Sequence, residues 1–333
     1  MNYIGSKHKL SAFIKETVIS VAGSDLSGMI FCDLFAGTGI VGRVFKQEVR
    51  QVISNDFEYY SYVLIRNYIG NHNPIPGQDN LIAELNNLKP VEGFIFKNYC
   101  AGGGTGRQYF SDENGRKIDA IRQEIEKWKA EKVIDEDVYF FLLAGLLESS
   151  DKVANTASVY GAYLKHLKKS AQKTLILEPA RFETNGNEHI VYQEDSNELI
   201  KIIEGDILYL DPPYNSRQYG ANYHLLNTIA KYDNFVPKGK TGLRDYKKSA
   251  YCSKSRVKDF FEELIEKARF RYIFLSYNNE GLMSADDVKT IMEKYGKYSI
   301  QKKDYQRFKA DTDNNRNHKA DKTEEYLHIL EKH

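Results

Sequence analysis

The sequence predicts an α/β protein whose core is interrupted by a mostly helical insertion. Near the N-terminus, an apolar strand is followed at once by a glycine-rich turn and a helical run, over residues 29–46. Much later in the chain, Ile207–Leu210 is predicted to be a strand buried on both faces, which is typical of a parallel sheet. Between these stretches, residues 72–187 stop alternating between strand and helix and show mainly helical periodicity.

The composition indicates a globular cytoplasmic protein. With 333 residues, 41% hydrophobic and 13% aromatic, the chain can form a large core plus an inserted domain. Its longest apolar runs, Val18–Ala22 and Phe140–Leu147, are far shorter than a membrane span, and no apolar signal core begins the chain. Cys32, Cys100 and Cys252 are too widely spaced for a disulfide framework or a C-x-x-C metal site, so we expect no metal.

The charge is balanced overall but concentrated locally. A net charge of +1 argues against a protein that coats nucleic acid indiscriminately. The segment from Lys238 to Lys258 nevertheless holds eight basic residues against the single acid Asp245, so eight minus one leaves +7. Tyr246 and Tyr251 lie among these cations and favour nucleic-acid contact over the alternative, a solvated lysine-rich loop.

The first strand, Met29–Phe35, leads into glycines spaced as G-x-G-x-x-G. Gly37, Gly39 and Gly42 let the backbone turn tightly into a helix and let a ligand approach closely. This spacing suits a dinucleotide as well as S-adenosylmethionine, so an NAD(P)-binding oxidoreductase is a rival prediction. Asp33, at the strand end, favours a ligand with an ammonium group because it would repel a pyrophosphate.

The second strand, Gln51–Ser54, ends at Asn55 and Asp56. An acid at this position can accept both hydroxyl protons of a ribose diol, so Asp56 is a candidate ligand-binding residue. Helix capping is the alternative role. Phe57 follows directly and can flank an adenine ring as a stacking wall or as a bystander.

The strand Ile207–Leu210 ends at the loop Asp211-Pro212-Pro213-Tyr214. Two consecutive prolines fix the backbone and remove two N–H donors, so the carbonyls of Asp211 and Pro212 are held rigidly without a local donor. With a carboxylate and an aromatic ring beside them, they can accept two hydrogen bonds from an exocyclic amine and stack a flat base. A proline-stiffened turn with a capping aspartate is the alternative.

The Asp33–Gly39 string and the Asp211–Tyr214 loop, in this order with a large insertion between them, resemble the Dam-like N6-adenine-specific DNA methyltransferases. The resemblance implies a class I S-adenosylmethionine-dependent methyltransferase core, Rossmann-like, with helices on both faces of a mostly parallel sheet that has one antiparallel strand near its C-terminal edge. The catalytic core is then residues 1–71 and 188–333, and the target-recognition domain is the insertion 72–187.

The resemblance also implies roles for individual residues. The catalytic set is Asp211, Pro212, Pro213 and Tyr214. The set expected to bind S-adenosylmethionine is Tyr3, Lys7, Asp33, Phe35, Gly37, Gly39, Asp56, Phe57, Asp195 and Ser196, with a turn-forming role as the alternative for Asp195-Ser196. The residues expected to contact DNA, each with a solvated surface role as the alternative, are Arg107, Lys168, Lys169, Arg217, Lys247, Lys248 and Arg256.

The predicted function is transfer of a methyl group from S-adenosylmethionine to N6 of an adenine flipped out of double-stranded DNA. The expected context is the modification part of a restriction-modification system, with a monomeric enzyme and a cognate endonuclease that acts on the same site. The alternatives are methylation of RNA adenine or another nucleobase amine, a non-catalytic DNA-binding module, and the oxidoreductase. Cytosine N4 is disfavoured because Asp211, rather than a serine, opens the loop.

Overall fold

A seven-stranded sheet organises the computed structural model, which describes residues 7–306 and 322–333. In chain order the strands are β1 (Ile30–Asp33), β2 (Gln51–Asn55), β3 (Ile190–Tyr192), β4 (Glu204–Leu210), β5 (Arg269–Asn278), β6 (Gly296–Gln306) and β7 (Lys322–Lys332). Their order across the sheet is β3-β2-β1-β4-β5-β7-β6. The predicted α/β core is confirmed.

The strand directions decide which residues meet at the edge where the site lies. Strands β1 to β5 pair in parallel, whereas β7 is antiparallel to both of its neighbours, β5 and β6. Asp33 is in register with Tyr209, two residues before Asp211. Because β7 runs the other way, its beginning lies where β5 ends, with Glu325 opposite Asn278. The carboxyl ends of β1 and β4 and the start of β7 therefore share one edge.

The chain divides into two compact units. The sheet unit consists of the described residues within 7–57, 185–218 and 248–333, and the helical unit consists of residues 58–184 and 219–247. The α-helices of the sheet unit are Ser11–Ala22, Ile40–Phe45, Ser196–Leu199, Val257–Lys267 and Ala285–Met292. Those of the helical unit are Tyr59–Ile65, which continues as the π-helical turn Arg66–Gly70, then Gln78–Asn86, Phe94–Tyr99, Asp112–Ala130, Glu136–Lys152, Tyr219–Asn222 and His224–Lys231. Short 3-10 turns are Lys7–Lys9, Ala101–Gly103 and Ala250–Cys252.

The sheet unit forms its core from apolar strands covered by helices. Phe31, Cys32, Ile207, Leu208 and Leu210 are all fully buried. Strands covered on both faces read as continuous apolar runs, which is why β1 and β4 could be recognised in the sequence. The three cysteines are free and buried.

The helical unit is wider than the interval 72–187. It also takes in the helix Tyr59–Ile65 and the helix His224–Lys231, because both turn apolar faces into the same core as Phe141 and Leu142. The backbone N–H of Tyr60 donates to Asn227 Oδ1 at 2.9 Å, which ties these two flanking helices together. The long helix Asp112–Ala130 starts earlier than its apolar stripe, because the Ser111 side chain caps it by accepting from the Asn114 N–H.

No described helix combines the length and the apolar content that crossing a membrane requires.

Candidate active site

The turn between β1 and the helix Ile40–Phe45 depends on two glycines. Gly37 and Gly39 have φ angles of 55° and 78°, in the left-handed region that residues with a Cβ avoid. The Gly39 N–H donates to the Ala36 carbonyl at 2.8 Å, which closes the turn. The predicted tight strand-to-helix turn is therefore present.

Asp33 ends β1 as a buried carboxylate that is only half satisfied. Its side chain is 1% exposed, and Oδ2 accepts a hydrogen bond from the Gly42 N–H at 3.1 Å. Oδ1 is buried and has no hydrogen-bond partner among the described residues. Burial raises the pKa of this carboxyl to about 8, against the opposing hydrogen bond from Gly42 and with help from the charges of Asp211 and Asp56. A cationic donor placed at Oδ1 would satisfy the oxygen and favour its charged form.

Asp56 follows β2, and Asp195 follows β3. Asp56 Oδ2 accepts from the Gly37 N–H at 2.8 Å, so this side chain helps to hold the glycine turn. Asp195 caps the helix Ser196–Leu199 by accepting from the Asn197 N–H at 3.0 Å. Ser196 is 9% exposed, and Phe57 is 39% exposed.

The Asp211–Tyr214 loop starts where β4 ends, beside β1. The Leu34 N–H donates to the Tyr209 carbonyl at 3.2 Å, which joins the two strands directly below the loop. Tyr214 lies edge-on to Tyr277, with ring centroids 6.3 Å apart, and its carbonyl accepts from the Leu282 N–H at 3.0 Å. The loop is thus held at both ends by the sheet unit. Phe35, one of the predicted cofactor residues, lies edge-on to Tyr251 at 5.1 Å.

Lys7 lies beside the catalytic candidate Asp211. Its Nζ is 3.2 Å from Asp211 Oδ1, 3.7 Å from Glu325 Oε2 and 5.9 Å from the centre of the Tyr214 ring. Its side chain is 5% exposed, so the ammonium group is buried between two carboxylates. The side-chain contacts that the structure gives Lys7 are therefore with the Asp211–Tyr214 loop and with Glu325 of β7. Tyr3 lies outside the described residues.

The neighbouring charges alter the pKa values of Lys7 and Asp211. Burial raises the pKa of Asp211 to about 6; Glu325 also raises it, and Lys7 works against both. For Lys7 burial lowers the pKa, but Asp211 and Glu325 outweigh burial and hold it above its ordinary value. At neutral pH Asp211 is therefore mostly ionised and Lys7 is positively charged.

Glu325 is the residue of this cluster that the sequence did not indicate. It is 8% exposed, and it belongs to a polar Lys-Thr-Glu-Glu stretch that reads as the flank of the apolar strand Tyr326–Leu330. Only the antiparallel pairing of β7 brings it to the edge where β4 ends. Two glutamates before an apolar strand do not indicate, from the sequence alone, that one of them lies beside the end of β4.

The side chains of Arg107 and Lys168, two of the predicted DNA-contacting residues, donate hydrogen bonds to backbone carbonyls. The Arg107 guanidinium donates to the carbonyls of Asn98, Gly239 and Lys240 at 3.0–3.2 Å, so it secures the loop around residue 239. Lys168 Nζ donates to the Thr156 carbonyl at 2.7 Å. The other candidates have exposed side chains: Lys169, Arg217, Lys247, Lys248 and Arg256.

Part of the positive charge between Lys238 and Lys258 is neutralised by ion pairs. Lys238 pairs with Asp245 within the segment at 2.8 Å. Arg244 makes a two-pronged pair with Asp233, at 2.9 and 2.7 Å, and Lys258 pairs with Asp287 at 2.6 Å. Because Asp233 and Asp287 lie outside the segment, the excess of +7 counted from the sequence overstates the charge available to a partner.

Within residues 7–306 and 322–333, no three His, Cys, Asp or Glu side chains come together as a set of metal ligands.

Comparison with known proteins decides the family. The model of the D12 class N6 adenine-specific DNA methyltransferases matches residues 3–291. The chain belongs to this family. It is an S-adenosylmethionine-dependent enzyme that acts on adenine N6 in DNA. The oxidoreductase and the non-catalytic binding module are thereby excluded.

Named relatives agree with this assignment. The methyltransferase is 65% identical over 332 residues to the type II methyltransferase M.NlaIII of Neisseria lactamica, which covers all of this chain and 99% of that protein. It is 39% identical to the type II methyltransferase M.CviAII of Paramecium bursaria Chlorella virus 1, over 93% of each chain. It is 41% identical to the type II methyltransferase M.FokI of Planomicrobium okeanokoites, of which it spans 53%.

The residues present fit S-adenosylmethionine. The cofactor carries an α-ammonium group, which is a hydrogen-bond donor. Asp33 Oδ1 is a buried oxygen that has no donor among the described residues, so it can accept from this group. The glycine turn beside it leaves the backbone bare of side chains at Gly37 and Gly39. Both features suit a cationic ligand that approaches the end of β1 closely.

Proposed function

We propose that this methyltransferase modifies an adenine flipped out of duplex DNA and is the modification enzyme of a restriction-modification system, whose endonuclease acts on the same site. The family and the named relatives, type II methyltransferases matched over up to 99% of their length, support this context. The observation that carries the proposal is the ionised Asp211 at the end of β4, beside the half-satisfied Asp33 at the end of β1. One edge thus offers an acceptor for an ammonium and an acceptor for an amine.

The catalytic loop accepts and orients the target amine. Inside a duplex the N6 group cannot reach a cofactor, so the base must leave the stack at a cost of a few kcal/mol. The Asp211 carboxylate and the Pro212 carbonyl then accept hydrogen bonds from the two N6–H groups, which turns the nitrogen lone pair out of conjugation with the ring. N6 keeps both protons until it has received the methyl group, and it then releases one of them. Bound S-adenosylmethionine supplies an electrophilic methyl group on a sulfonium. Tyr214 stacks on the base, Pro213 keeps the loop rigid, and the Asp211 charge stabilises the positive charge that develops on N6.

The cofactor is held by residues at the ends of three neighbouring strands. Asp33 accepts from the ammonium group, Asp56 accepts from the ribose hydroxyls, and Asp195 with Ser196 receives the adenine amino group. Phe35 and Phe57 flank the rings, and Gly37 and Gly39 allow the close approach. The family resemblance adds Tyr3 to the residues proposed to bind the cofactor. Lys7, which contacts Asp211 and Glu325, acts from the side of the catalytic loop.

The helical unit provides target recognition, as the interval 72–187 was expected to do. Exposed cations bind the phosphate backbone: Lys169 and Lys247 belong to the helical unit, and Arg217, Lys248 and Arg256 belong to the sheet unit. Arg107 and Lys168 of the helical unit contribute further positive charge. The enzyme acts as a monomer in the cytoplasm.

Methylation by the purified protein tests this function. Duplex DNA, the same sequence as single strands, and its RNA transcript are each incubated with labelled S-adenosylmethionine, and the modified base is identified by mass spectrometry. We expect N6-methyladenine at one short sequence in duplex DNA. Equal methylation of the transcript, or methylation of single strands alone, would overturn the proposed substrate.

A further inference from the structure

The ion pair between Lys7 and Asp211 raises a problem for catalysis. A lysine ammonium 3.2 Å from the carboxylate already donates to Asp211 Oδ1 and lowers its capacity to accept from an amine. Lys7 is 5% exposed, so solvent screens this attraction little. A carboxylate that is fully neutralised by a buried cation would be a poor acceptor for the N6 protons.

Glu325 lies on the other side of the same ammonium group. Its Oε2 is 3.7 Å from Lys7 Nζ, beyond hydrogen-bond distance, and that oxygen has no hydrogen-bond partner among the described residues. Glu325 therefore acts on Lys7 through charge. It is 8% exposed, and burying a carboxylate oxygen that accepts no hydrogen bond from the described residues costs free energy, which a role in catalysis would explain.

The position of Glu325 follows from the topology. Strand β7 is the antiparallel member of the sheet, so its first residues lie at the edge where β4 and β5 end. The neighbouring residue Glu324 alternates to the opposite face and is exposed. One glutamate of the pair is thus buried against Lys7, and the other faces solvent.

We propose that Glu325 is a positioning residue of the methyl-transfer reaction, which divides the charge of Lys7 between two carboxylates and so keeps Asp211 a strong acceptor for the target amine. The proposal rests on the proposed role of Asp211. Three charges, two negative and one positive, leave the cluster with a net negative charge that favours a nitrogen on which positive charge develops.

The other groups around Asp211 do not remove this effect. The titratable groups that interact with it from neighbouring elements are Lys7, Asp33 at the end of β1, Tyr209 on β4, Tyr214 in its own loop and Glu325 on β7. Burial raises the pKa of both tyrosines, so they stay neutral. Asp33 becomes charged when its ammonium partner is bound, and this happens equally in every variant considered below.

The test compares single-turnover methylation of duplex DNA across pH, at saturating S-adenosylmethionine and DNA. Glu325→Gln removes a charge that raises the pKa of Asp211, so the acid limb of the rate profile moves to lower pH, by about one unit, and the plateau rate falls by roughly threefold to tenfold. Lys7→Met removes a charge that lowers the same pKa, so the limb moves to higher pH. These opposite directions would not result from a general loss of packing.

Glu324→Gln is the matched control, because it removes the same charge one residue away on the exposed face, and its profile should equal that of the wild type. Glu325→Asp retains the charge and should show a smaller shift than Glu325→Gln, which gives a second readout if the glutamine variant is unstable. Thermal melting and calorimetric S-adenosylmethionine affinity should stay near wild type in the Glu325 variants, because Glu325 acts on the catalytic loop.

Identical profiles for Glu325→Gln and Glu324→Gln would overturn the proposal, as would shifts in the same direction for Glu325→Gln and Lys7→Met. Asp211→Asn separates this failure from failure of the proposed function. If Asp211→Asn methylates at the wild-type rate, the role of Asp211 is wrong. If Asp211→Asn is impaired and Glu325→Gln is not, only the role of Glu325 is wrong.

Discussion

Asp33 shows how a buried carboxylate can prepare a protein for a cation. Its Oδ2 accepts from the Gly42 N–H, while its Oδ1 is buried and has no donor among residues 7–306 and 322–333. An unmet acceptor of this kind costs about 1–3 kcal/mol, which a bound ammonium group would return as binding free energy. Asp33 Oδ1 is thus the atom expected to accept from the ammonium group of S-adenosylmethionine.

Removing this carboxylate should weaken cofactor binding. Asp33→Ala loses a charge-assisted hydrogen bond, so we expect the binding free energy to fall by about 1.5–3 kcal/mol in calorimetry with S-adenosylmethionine. Gly37→Val should weaken binding further, because a branched side chain disfavours the φ of 55° and fills the space beside the turn. Wild-type affinity in both variants would show that the ammonium binds elsewhere.

Proton release on binding provides an independent check on Asp33. With a pKa of about 8 in the protein alone, this carboxyl is mostly protonated at pH 7, and an ammonium partner favours its ionised form. Binding should therefore release close to one proton, which calorimetry in buffers of different ionisation enthalpy measures. Asp33→Asn should release none. The raised pKa also means that this carboxyl destabilises the unliganded fold as pH rises from its unfolded value near 4 towards 8.

Changes at Asp211 and Tyr214 should act on the reaction step. Asp211→Ala should lower kcat by roughly 100-fold to 1000-fold with little change in cofactor affinity, because its charge matters most as N6 becomes positive. The decrease in kcat should be smaller for Asp211→Asn, because the asparagine carbonyl still accepts a hydrogen bond from N6–H. Tyr214→Phe should be tolerated and Tyr214→Ala should not, because stacking of about 1–3 kcal/mol needs the ring alone. If the Asp211→Ala variant had a near-normal single-turnover rate, Asp211 would have only a structural role in capping the turn.

The sequence predicted residues at the site to different degrees. Asp33 and Asp211 could be predicted as neighbours because the ends of parallel strands share an edge. Lys7 was predicted to contact the cofactor, but the side chain of a residue ahead of the first helix can reach several groups, and the structure shows contacts with Asp211 and Glu325. Glu325 could not be predicted, because its place depends on a strand pairing between residues far apart in the chain.

At the scale of elements, buried strands were easier to predict than exposed ones. The apolar run Ile207–Leu210 predicts a strand that in the structure spans Glu204–Leu210, and the run Tyr326–Leu330 predicts one that spans Lys322–Lys332. Both predicted strands are too short because the polar residues at the strand ends carry no apolar signal. Strand β6 was not predicted. Its residues from Gly296 to Lys303 are exposed or half-buried, and the strand forms by pairing with β7 at the border of the sheet. The polar, mixed charges of residues 302–322 predict a loop near DNA. In the structure, residues 302–306 belong to β6 and residue 322 begins β7, while residues 307–321 lie outside the described residues.

The basic segment provides a prediction at this scale. Replacing Lys247, Lys248 and Arg256 with alanine should weaken binding to all duplexes alike and reduce its dependence on salt, because phosphate contacts carry no sequence information. Fluorescence anisotropy over a series of salt concentrations measures both effects. The control replaces Lys238 and Lys258, whose ammonium groups are already paired with Asp245 and Asp287, and it should have the smaller effect. If the variant instead methylated a different target sequence with unchanged DNA affinity, the segment would contact base edges and determine sequence specificity.

At the scale of the whole chain, the helical unit is assembled from two separate stretches. The helix His224–Lys231 buries Leu225, Leu226 and Ile229 completely in the core formed by residues 58–184. In the sequence, the helical periodicity of the insertion ends near residue 187. This periodicity does not indicate that a later helix packs into the same core. The boundaries of this unit were therefore only partly predictable.

This assembly predicts the behaviour of fragments. A polypeptide of residues 58–184 should be poorly folded by near-ultraviolet circular dichroism, because removing the three apolar side chains of the returning helix leaves cavities that cost about 2–5 kcal/mol each. Joining residues 219–247 through a flexible linker should restore a cooperative thermal transition. A stable fragment 58–184 would mean that the returning helix is dispensable for this core.

The direction of β7 also decides how the enzyme can be handled. From Glu325 beside the catalytic loop, the strand runs to Lys332 at the opposite edge of the sheet, and the seven rises between these residues cover roughly 24 Å. A biotin or dye joined after His333 would therefore stand well away from Asp211 and Lys7. Coupling a biosensor surface through this end should leave methylation of injected duplexes at the rate measured in solution.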